Sequence, residues 1–484
     1  MRVPGALFFC PENGTIFLRN SIYQGKIKMQ NQTIIRATGD FHPGVRGLLA
    51  DYHDNGEMTH ADEWLQETAE VLERALRSYH MKAEIKATRL TPNAALVLFK
   101  GNDNISVDRI EKKRSYLYTT WGLDISAVRP GKGYIAVMVK RDSRHVTDTG
   151  LIWAKRELPE TAPYYNTSFV IGEREDTGEL LYLNVSRAFA GQPASGPHTL
   201  IAGESGGGKG VLASNLIMDI CATNSPEMAR IHMIDPKSGC DYQWLEKMPH
   251  LQGEIVTEPA DSQQRYTDIL MEMERRYQLL SAARARDLDT YNDKVRDGQI
   301  TEARTVTKII VDGEEETCVR VEEAKVLPRI YIIHDELADW MTDDDYRNDT
   351  GKLLARISAK GRAAGMHLIL ITQRPDKKAM PGMVKANISN KICLRVSNKV
   401  NSNVVIDEAG AEELMGAGHM LAIIGGVPGG AVFAQSSYLD PWDAELMAEA
   451  IAADYLEASN LANDSAAVGE DNAISIAEAV RQAA

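Results

Sequence analysis

The stretch HTLIAGESGGGKG, residues 198–210, constrains this chain more than any other, because it joins an apolar segment to a helical pattern through a glycine-rich loop. Such a loop turns successive backbone N–H groups toward a phosphate chain, and the following helix adds the positive end of its dipole. The letters nearly match G-x-x-x-x-G-K-[ST], in which the lysine reaches the β- and γ-phosphates. The residues predicted to bind ATP are Gly203, Glu204, Ser205, Gly206, Gly207, Gly208, Lys209 and Gly210.

Position 210 is the departure from this pattern, because glycine stands where serine or threonine would supply a hydroxyl ligand to Mg²⁺. Ser214 lies one turn further along the predicted helix, about 6 Å away, which is too far to replace that hydroxyl. Water can fill the vacant position, since Mg²⁺ commonly keeps several waters when it is bound. We therefore expect nucleotide binding to persist and hydrolysis to be slowed.

Two later segments end apolar strands in polar residues that suit the same site. In IYIIHDELADW, Asp335 and Glu336 come directly after the apolar strand, and in P-loop ATPases the first acid organises Mg²⁺ while the second activates the attacking water. In LILITQRP, the apolar strand ends at Thr372 and Gln373, and the tip of this neighbouring strand would bring Gln373 to the γ-phosphate. An apolar strand followed by such residues is often only structural, and the preceding phosphate loop is what favours the functional interpretation.

The succession of apolar runs predicts the fold class. The runs after the loop lack polar alternation and are separated by helical patterns, which is typical of a parallel sheet covered on both faces. The prediction is an α/β domain with a mostly parallel sheet, preceded by a small α+β domain. The predicted divisions are a β-rich segment at 1–45, the α+β domain at 46–150, the α/β domain at 151–440 with a hairpin insertion at 297–326, and an acidic helical tail at 441–484.

The net charge of the chain does not exclude DNA as a partner. The formal charge is −14, whereas a DNA-binding chain is usually basic. From Asp440 onward, however, ten acidic residues stand against one arginine, so this end carries −9 and the remainder only −5. A charge of −5 on the residues before Asp440 is compatible with a basic channel for DNA in that part of the chain. The five cysteines form no C-x-x-C pair and no apolar run reaches 18 residues, so we expect a cytoplasmic protein without a membrane span.

Taken in order, the segments GESGGGKG, HMIDPKSG, LPRIYIIHDELADW and KGRAAGMHLILITQRP resemble successive blocks of the FtsK/SpoIIIE family of DNA translocases, over roughly residues 195–425. VRPGKGYIAVMVKR resembles a hairpin of the small domain that precedes the family's motor. The resemblance implies a RecA-like motor that assembles as a homohexameric ring, uses ATP and Mg²⁺, and moves double-stranded DNA.

Specific roles follow from the matching motif positions. Lys209 would contact phosphate, Asp335 would organise Mg²⁺, and Glu336 would be the catalytic base. Gln373 would be the sensor, and Arg362 would be an arginine finger that acts on the neighbouring subunit's nucleotide. Asp235 and Lys237 match a family signature, in which they serve either coupling or structure.

The resemblance is incomplete in four places. Gly210 replaces the family's serine or threonine, and neither the membrane-spanning domain nor the winged-helix module is expected here. The family's closing block is reduced to AVFAQSSYLD. Candidate DNA contacts after the sensor strand are Arg374, Lys377, Lys378 and Lys385, with Arg284 and Arg286 as further candidates. For any one of them taken alone, the sequence favours the alternative of solvated surface charge.

The sequence thus predicts a hexameric, ATP-dependent translocase of double-stranded DNA, working in DNA transfer, mobile-element maintenance or genome defence. One alternative is a nucleotide-gated DNA-binding ring with weak hydrolysis, which Gly210 suggests. Another is a conjugative coupling protein that recruits a protein partner through its acidic tail.

Overall fold

The computed structural model describes residues 58–141, 146–159, 165–311, 314–374, 381–427, 430–453 and 455. The β-rich segment predicted at 1–45 lies outside these residues, as do residues 456–484 of the predicted tail. In the described part of the chain, no helix combines the length and the apolar character needed to cross a membrane.

The first unit is an antiparallel sheet with helices packed on one face. Its elements are α1 (Met58–Ser78), β1 (Ile85–Leu90), β2 (Ala94–Lys100), α2 (Val107–Glu111), α3 (Arg114–Trp121), β3 (Ile125–Gly131) and β4 (Tyr134–Lys140). The strands lie in the order β1-β2-β4-β3. Leu65, Ala69, Leu72 and Leu76 recur at helical spacing along α1, and all four are buried in the core beneath the sheet. This periodicity is why the segment forms a helix with one apolar face.

The second unit is built on a mixed sheet flanked by helices. Its strands are β5 (Ser168–Arg174), β6 (Leu180–Asn184), β7 (Thr199–Ala202), β8 (Ala229–Ile234), β11 (Arg329–His334), β12 (Met366–Thr372), β13 (Asn390–Leu394), β14 (His419–Ile423) and β15 (Val432–Gln435). They lie in the order β6-β5-β15-β14-β13-β7-β12-β11-β8. The strands from β13 to β8 pair in parallel, and those from β13 to β6 pair antiparallel. The α/β class and the preceding small α+β domain are confirmed, with the parallel part carrying the strands that matter for the site.

Helices cover both faces of this sheet. They are α4 (Thr149–Lys155), α5 (Lys209–Ala222), α6 (Pro259–Ala282), α7 (Leu288–Arg296), α8 (Ala338–Met341), α9 (Asp344–Lys360), α10 (Gly382–Asn387) and α11 (Lys399–Ile406). Every residue of β11 is buried, and its side chains alternate between two cores: Ile330 and Ile332 join one, Tyr331 and Ile333 the other. A strand buried on both faces needs apolar residues at every position, which explains the unbroken apolar run in the sequence.

An antiparallel hairpin of β9 (Glu302–Val311) and β10 (Glu314–Glu323) stands apart from the main sheet. It is inserted between α7 and β11, and the backbone N–H of Val306 donates to Gln278 Oε1 on α6 at 2.8 Å. The exact limits of this insertion and of the other predicted divisions stay predictions.

The beginning of the predicted tail packs into the second unit. Residues 441–453 are helical, and Ala444, Met447, Ala448 and Ile451 are buried in the same core as α5. Lys247 forms an ion pair with Glu449 at 2.8 Å. A truncation intended to remove only the tail must therefore begin after residue 455.

The two units are joined by polar and aromatic contacts next to β15. The Arg114 guanidinium lies 3.1 Å from the Glu413 carboxylate, and that of Arg129 lies 5.0 Å from the centre of the Phe433 ring. The loop that precedes β2 of the small domain lies at the carboxyl edge of the large sheet, because the amide of Asn93 in this loop donates to Gln435 Oε1, at the end of β15.

Candidate nucleotide-binding site

The loop between β7 and α5 has the geometry of a phosphate cradle. Gly206 and Gly208 have φ values of +77° and +100°, which favour glycine, and Gly208 directly precedes α5. The turn at Gly416–Gly418 lies directly against this loop: the Gly418 N–H donates to the Gly207 carbonyl at 2.9 Å. The loop is therefore held in shape by a segment about two hundred residues further along the chain.

Gly208 is needed for a second reason, and this yields a first prediction. A Cβ atom at this position would lie 2.5 Å from the backbone nitrogen of Gly418, in addition to adopting an unfavourable φ. We expect Gly208→Ala to lower the free energy of unfolding by about 2–4 kcal/mol and to weaken ATP binding. Thermal unfolding and titration with a fluorescent ATP analogue measure the two effects.

The matched control is Gly210→Ala, two residues further along. Its Cβ would meet nothing closer than Asp241 Oδ2 at 3.9 Å, and alanine is the better helix former. This variant should be at least as stable as the wild type. If both variants unfolded alike, the contact between the loop and Gly416–Gly418 would not be what requires glycine.

Lys209 is buried at the start of α5, and its ammonium donates to the Glu204 carbonyl at 2.9 Å. Burial lowers the pKa of Lys209, and the carboxylates of Glu336 and Asp335 oppose that shift. The lysine is thus already oriented within the loop. A phosphate group would replace the carbonyl as the partner of its charge.

Asp335, at the end of β11, is fixed through both carboxylate oxygens. Oδ1 accepts the backbone N–H of Glu336 at 2.8 Å, and Oδ2 accepts the Tyr242 hydroxyl at 3.1 Å. Burial and the adjacent Asp335 charge raise the pKa of Tyr242 well above its ordinary value, so Tyr242 remains a donor. Sequence reasoning missed Tyr242, since a tyrosine in a loop carries no signal of this role.

Glu336 lies beside it in a strained backbone conformation, with φ of +45°. Its carboxylate accepts the Gln373 N–H at 3.0 Å, while Lys237 Nζ lies 3.9 Å away. Burial raises the pKa of Glu336, and the hydrogen bond from Gln373 lowers it in part. The strand tips of β11 and β12 are therefore bonded to each other through this carboxylate.

Asp235 and Lys237 follow β8 and differ in burial, since Asp235 is buried whereas Lys237 is exposed. Asp235 is buried and its Oδ1 accepts the Lys237 N–H at 3.0 Å, which shapes the turn. Burial raises the pKa of Asp235. The Lys237 side chain extends toward Glu336 and lines the same cavity as Lys209.

These residues surround a cavity of about 770 Å³. Lys209, Asp335 and Gln373 line it together, each of them after the carboxyl end of its strand, β7, β11 or β12, whereas the carboxylate of Glu336 is directed to the tip of β12. A further wall comes from the loop before β2 of the small unit, from the segment before α4, and from the end of β15 with the residues after it, which sequence reasoning did not connect with the site. The residues of that wall are Asn93, Val146, Thr147, Gln435, Ser436, Ser437, Tyr438 and Leu439.

Arg362 lies at the other edge of the sheet, in the turn that precedes β12. The turn is placed there because Ile330, at the start of β11, donates its N–H to the Gly365 carbonyl. β12 has seven residues, so this edge is about 20 Å from the strand tips. The exposed Arg362 side chain lines a second cavity together with Lys360 and Arg286. Arg362 is therefore not among the residues that surround the first cavity.

The candidate DNA contacts are dispersed. Arg374 is exposed directly after the strand tip at Gln373, whereas Arg286 lies at the opposite edge near Arg362. Arg284 is exposed two residues before Arg286. Lys385 is paired with Asp407 at 2.7 Å, which favours a structural role for it. Lys377 and Lys378 lie outside the described residues.

Comparison with known proteins establishes the family. A model of the FtsK/SpoIIIE family matches residues 175–377. The DNA translocase FtsK of Haemophilus influenzae is 30% identical over 382 residues, which cover 77% of this chain and 68% of that protein. The chain belongs to the FtsK/SpoIIIE family. The phosphate loop, β11 and β12 all fall inside the matched region, as the sequence blocks predict.

The relatives differ in length. The DNA translocase FtsK of Pseudomonas putida is 30% identical over 383 residues, covering 77% of this chain but 43% of that protein. The chain therefore spans less than half the length of this FtsK relative.

A solved structure shares the fold. The pCW3 conjugation coupling protein TcpA, in its monomer form with ATPγS, superposes with a TM-score of 0.51 and 19% identity, covering 80% of this chain and 98% of that chain. At this identity, the likeness supports the fold of the FtsK/SpoIIIE chain and nothing further.

Proposed function

We propose that this FtsK/SpoIIIE chain binds ATP between subunits of a homohexameric ring and uses its hydrolysis to move double-stranded DNA. The observation that carries the proposal is the convergence of Lys209, Asp335, Glu336 and Gln373 at the carboxyl ends of three adjacent strands. Phosphate cradle, acidic pair and polar sensor are the groups that phosphoryl transfer to water needs in one place.

In this proposal the N–H groups of the loop and the charge of Lys209 hold the phosphate chain. Glu336 accepts a proton from the attacking water, after its carboxylate exchanges the Gln373 N–H for that water. Gln373 lies on the same strand tip, so a change at the γ-phosphate is transmitted to β12 and to the exposed Arg374 beyond it.

The residues present also suit Mg²⁺. Asp335 is buried, lines the cavity and is held rigidly by two donors, which is the way a carboxylate is prepared to bind a hard cation. When bound, Mg²⁺ would neutralise phosphate charge. Asp335 would hold it, and the chain's other groups would act as described above.

The second edge of the sheet favours a ring. Arg362 is exposed about 20 Å from the nucleotide cavity of its own subunit, so it can act only on another subunit's nucleotide. A head-to-tail arrangement repeats such a contact at each interface and closes as a ring when the rotation permits.

The pKa shifts of Glu336 and Lys209 predict that kcat/KM is high over a narrower pH range than an ordinary glutamate and lysine would give. Glu336 must be deprotonated and its pKa is raised, so the acid limb should lie above the range of an ordinary glutamate. Lys209 must be protonated and its pKa is lowered, so the alkaline limb should lie below the range of an ordinary lysine. Rates measured across pH with and without Asp339→Asn test this, because Asp339 contributes to raising the pKa of Glu336.

In that comparison the titration of ATP itself cancels, since it is common to both proteins. Asp339→Asn should move the acid limb to lower pH and leave the plateau rate unchanged. An acid limb that does not move would mean that Glu336 is not the group that titrates.

The decisive experiment on the proposed function measures ATP hydrolysis with and without linear duplex DNA, together with the mass of the assembly in an ATP analogue. We expect strong stimulation by DNA and a species of six subunits. A monomer under all these conditions would contradict the ring, and hydrolysis indifferent to DNA would contradict translocation.

A second candidate function, a nucleotide-gated DNA-binding ring with weak hydrolysis, is favoured by the glycine at position 210. The structure leaves room for a hydroxyl there, so Gly210→Ser is tolerable sterically. A large rise in turnover in this variant would indicate that the natural site is slow. No change would indicate that another group already serves Mg²⁺.

The alternative of a coupling protein depends on the acidic tail. A truncation that tests it must leave in place the part of the tail that packs into the core. Removal of residues 457–484 spares the helix at 441–453 that packs into the core. Loss of partner binding with unchanged ATP hydrolysis would support a docking role for these residues.

A further inference from the structure

The position left open by Gly210 is faced by an acidic side chain. Apart from its own helix backbone and its two chain neighbours, a Cβ built on Gly210 would have Asp241 Oδ2 as its nearest atom among the described residues, at 3.9 Å. A serine or threonine hydroxyl at this position would therefore extend into space next to the Asp241 carboxylate. Asp241 also lines the cavity that Lys209 and Asp335 line. A carboxylate thus lies where the missing oxygen ligand would act.

The segment that carries Asp241 is anchored on both sides. Before it, Gly239 has φ of +70°, and its carbonyl accepts the Tyr242 N–H at 2.8 Å, which closes a tight turn around Asp241. After it, Tyr242 and Trp244 are buried in the core. The Tyr242 hydroxyl donates to Asp335 Oδ2 at 3.1 Å. The turn is therefore tied directly to the carboxylate proposed to bind Mg²⁺.

Charge around Asp241 points to a cation. Among the described residues, no hydrogen bond or ion pair is found for its carboxylate, although Gly239 and Tyr242 around it are both hydrogen-bonded. An unneutralised carboxylate beside a phosphate site would repel the nucleotide unless a cation lay between them. Mg²⁺ prefers such oxygen ligands, and it brings its own waters to bridge short gaps.

We propose that Asp241 replaces the missing hydroxyl of position 210 and binds the Mg²⁺ that accompanies the nucleotide, directly or through one of its waters. This inference rests on the proposed nucleotide site. It accounts for a phosphate loop that keeps its lysine and its glycines while lacking the hydroxyl. With Asp335 on the other side, two carboxylates from separate loops would flank the metal.

The test is nucleotide binding by the full chain, measured with a fluorescent ATP analogue in Mg²⁺ and again in excess EDTA. Asp241→Asn should weaken binding of the Mg²⁺ complex about 10- to 100-fold, the range seen when a metal-supporting side chain is removed. Binding without metal should be unchanged or slightly stronger, because a negative charge has been removed. Electron paramagnetic resonance of Mn²⁺ with ADP provides a second readout, in which the bound Mn²⁺ signal should be lost in parallel.

Two further variants complete the design. Glu246→Gln removes an exposed carboxylate from the following 3₁₀ turn and should leave both titrations as in the wild type. Adding Gly210→Ser to Asp241→Asn should restore most of the Mg²⁺-dependent affinity, since the hydroxyl then returns to the open position.

The outcomes separate the two proposals. If Asp241→Asn changed binding equally with and without Mg²⁺, or not at all, Asp241 would have no role toward the metal. If the wild type bound nucleotide in neither condition, the proposed nucleotide site itself would be wrong. Failure of Gly210→Ser to rescue an otherwise metal-specific defect would show that Asp241 acts elsewhere than at the vacant position.

Discussion

Replacing Arg362 by alanine should lower ATP hydrolysis by about 10³–10⁵-fold, the effect of losing an arginine finger, while ATP binding stays near the wild-type level. The reason is positional: Arg362 is exposed at the amino edge of the sheet, on the far side from Lys209 and Glu336 of its own subunit. It would stabilise the transition state only across an interface. Steady-state hydrolysis and analogue binding, measured on the assembled protein, check both parts.

A mixing experiment distinguishes action across an interface from a structural defect. Arg362→Ala and Glu336→Gln subunits are each expected to be inactive alone, yet a mixed ring contains interfaces with an intact Glu336 on one side and an intact Arg362 on the other. With random assembly at equal amounts, about one interface in four is of this kind, so part of the activity should return. Arg356→Ala, which removes an exposed arginine from α9, is the matched control and should hydrolyse ATP normally. Absence of recovery in assembled mixtures would contradict the trans role.

Replacing Glu336 by glutamine should lower hydrolysis by about 10²–10⁴-fold and leave ATP binding unchanged. The fold should tolerate the change, because a glutamine carbonyl oxygen can still accept the Gln373 N–H, and the backbone demand of a φ of +45° is similar for both residues. What is lost is the ability to take a proton from water. Single-turnover hydrolysis, with the protein in excess over ATP, measures this step without product release.

Asp339→Asn is the control for Glu336→Gln, because it removes the same unit of charge three residues away on an exposed side chain. It should retain the plateau rate of hydrolysis. A Glu336→Gln protein that hydrolyses ATP within tenfold of the wild type would exclude Glu336 as the base, whatever its place in the structure.

Much of the proposed nucleotide site can be predicted from the sequence, because each of its parts depends on residues that are close together in the chain. The loop before Lys209 and the acidic pair after β11 each depend on a strand followed by a few residues, and a parallel sheet places such strand ends at one edge without further information. The unbroken apolar runs of β11 and β12 likewise follow from burial on both faces. The family assignment uses the same segments in the same order.

Other features depend on segments that are distant in sequence. Tyr242 binds Asp335 across 93 positions, and the small unit reaches the cavity through Asn93, whose amide donates to Gln435 Oε1 at 2.7 Å. Lys385 carries the positive charge expected of a DNA contact, but its side chain forms an ion pair with Asp407. Such pairings are set by how the units pack, and no spacing or periodicity encodes them.

Position 210 shows the difference most clearly. The chain alone establishes that a hydroxyl ligand is missing from a phosphate loop that otherwise retains its lysine and glycines. Only the tertiary structure shows that the Asp241 carboxylate faces position 210. The turn after β8 lies there because Tyr242 in this turn is hydrogen-bonded to Asp335 at the end of β11. The physical reason is range: backbone conformation and dipoles act within a few residues, whereas a cation-binding site requires oxygens converging from separate loops, and only packing of the core brings those together.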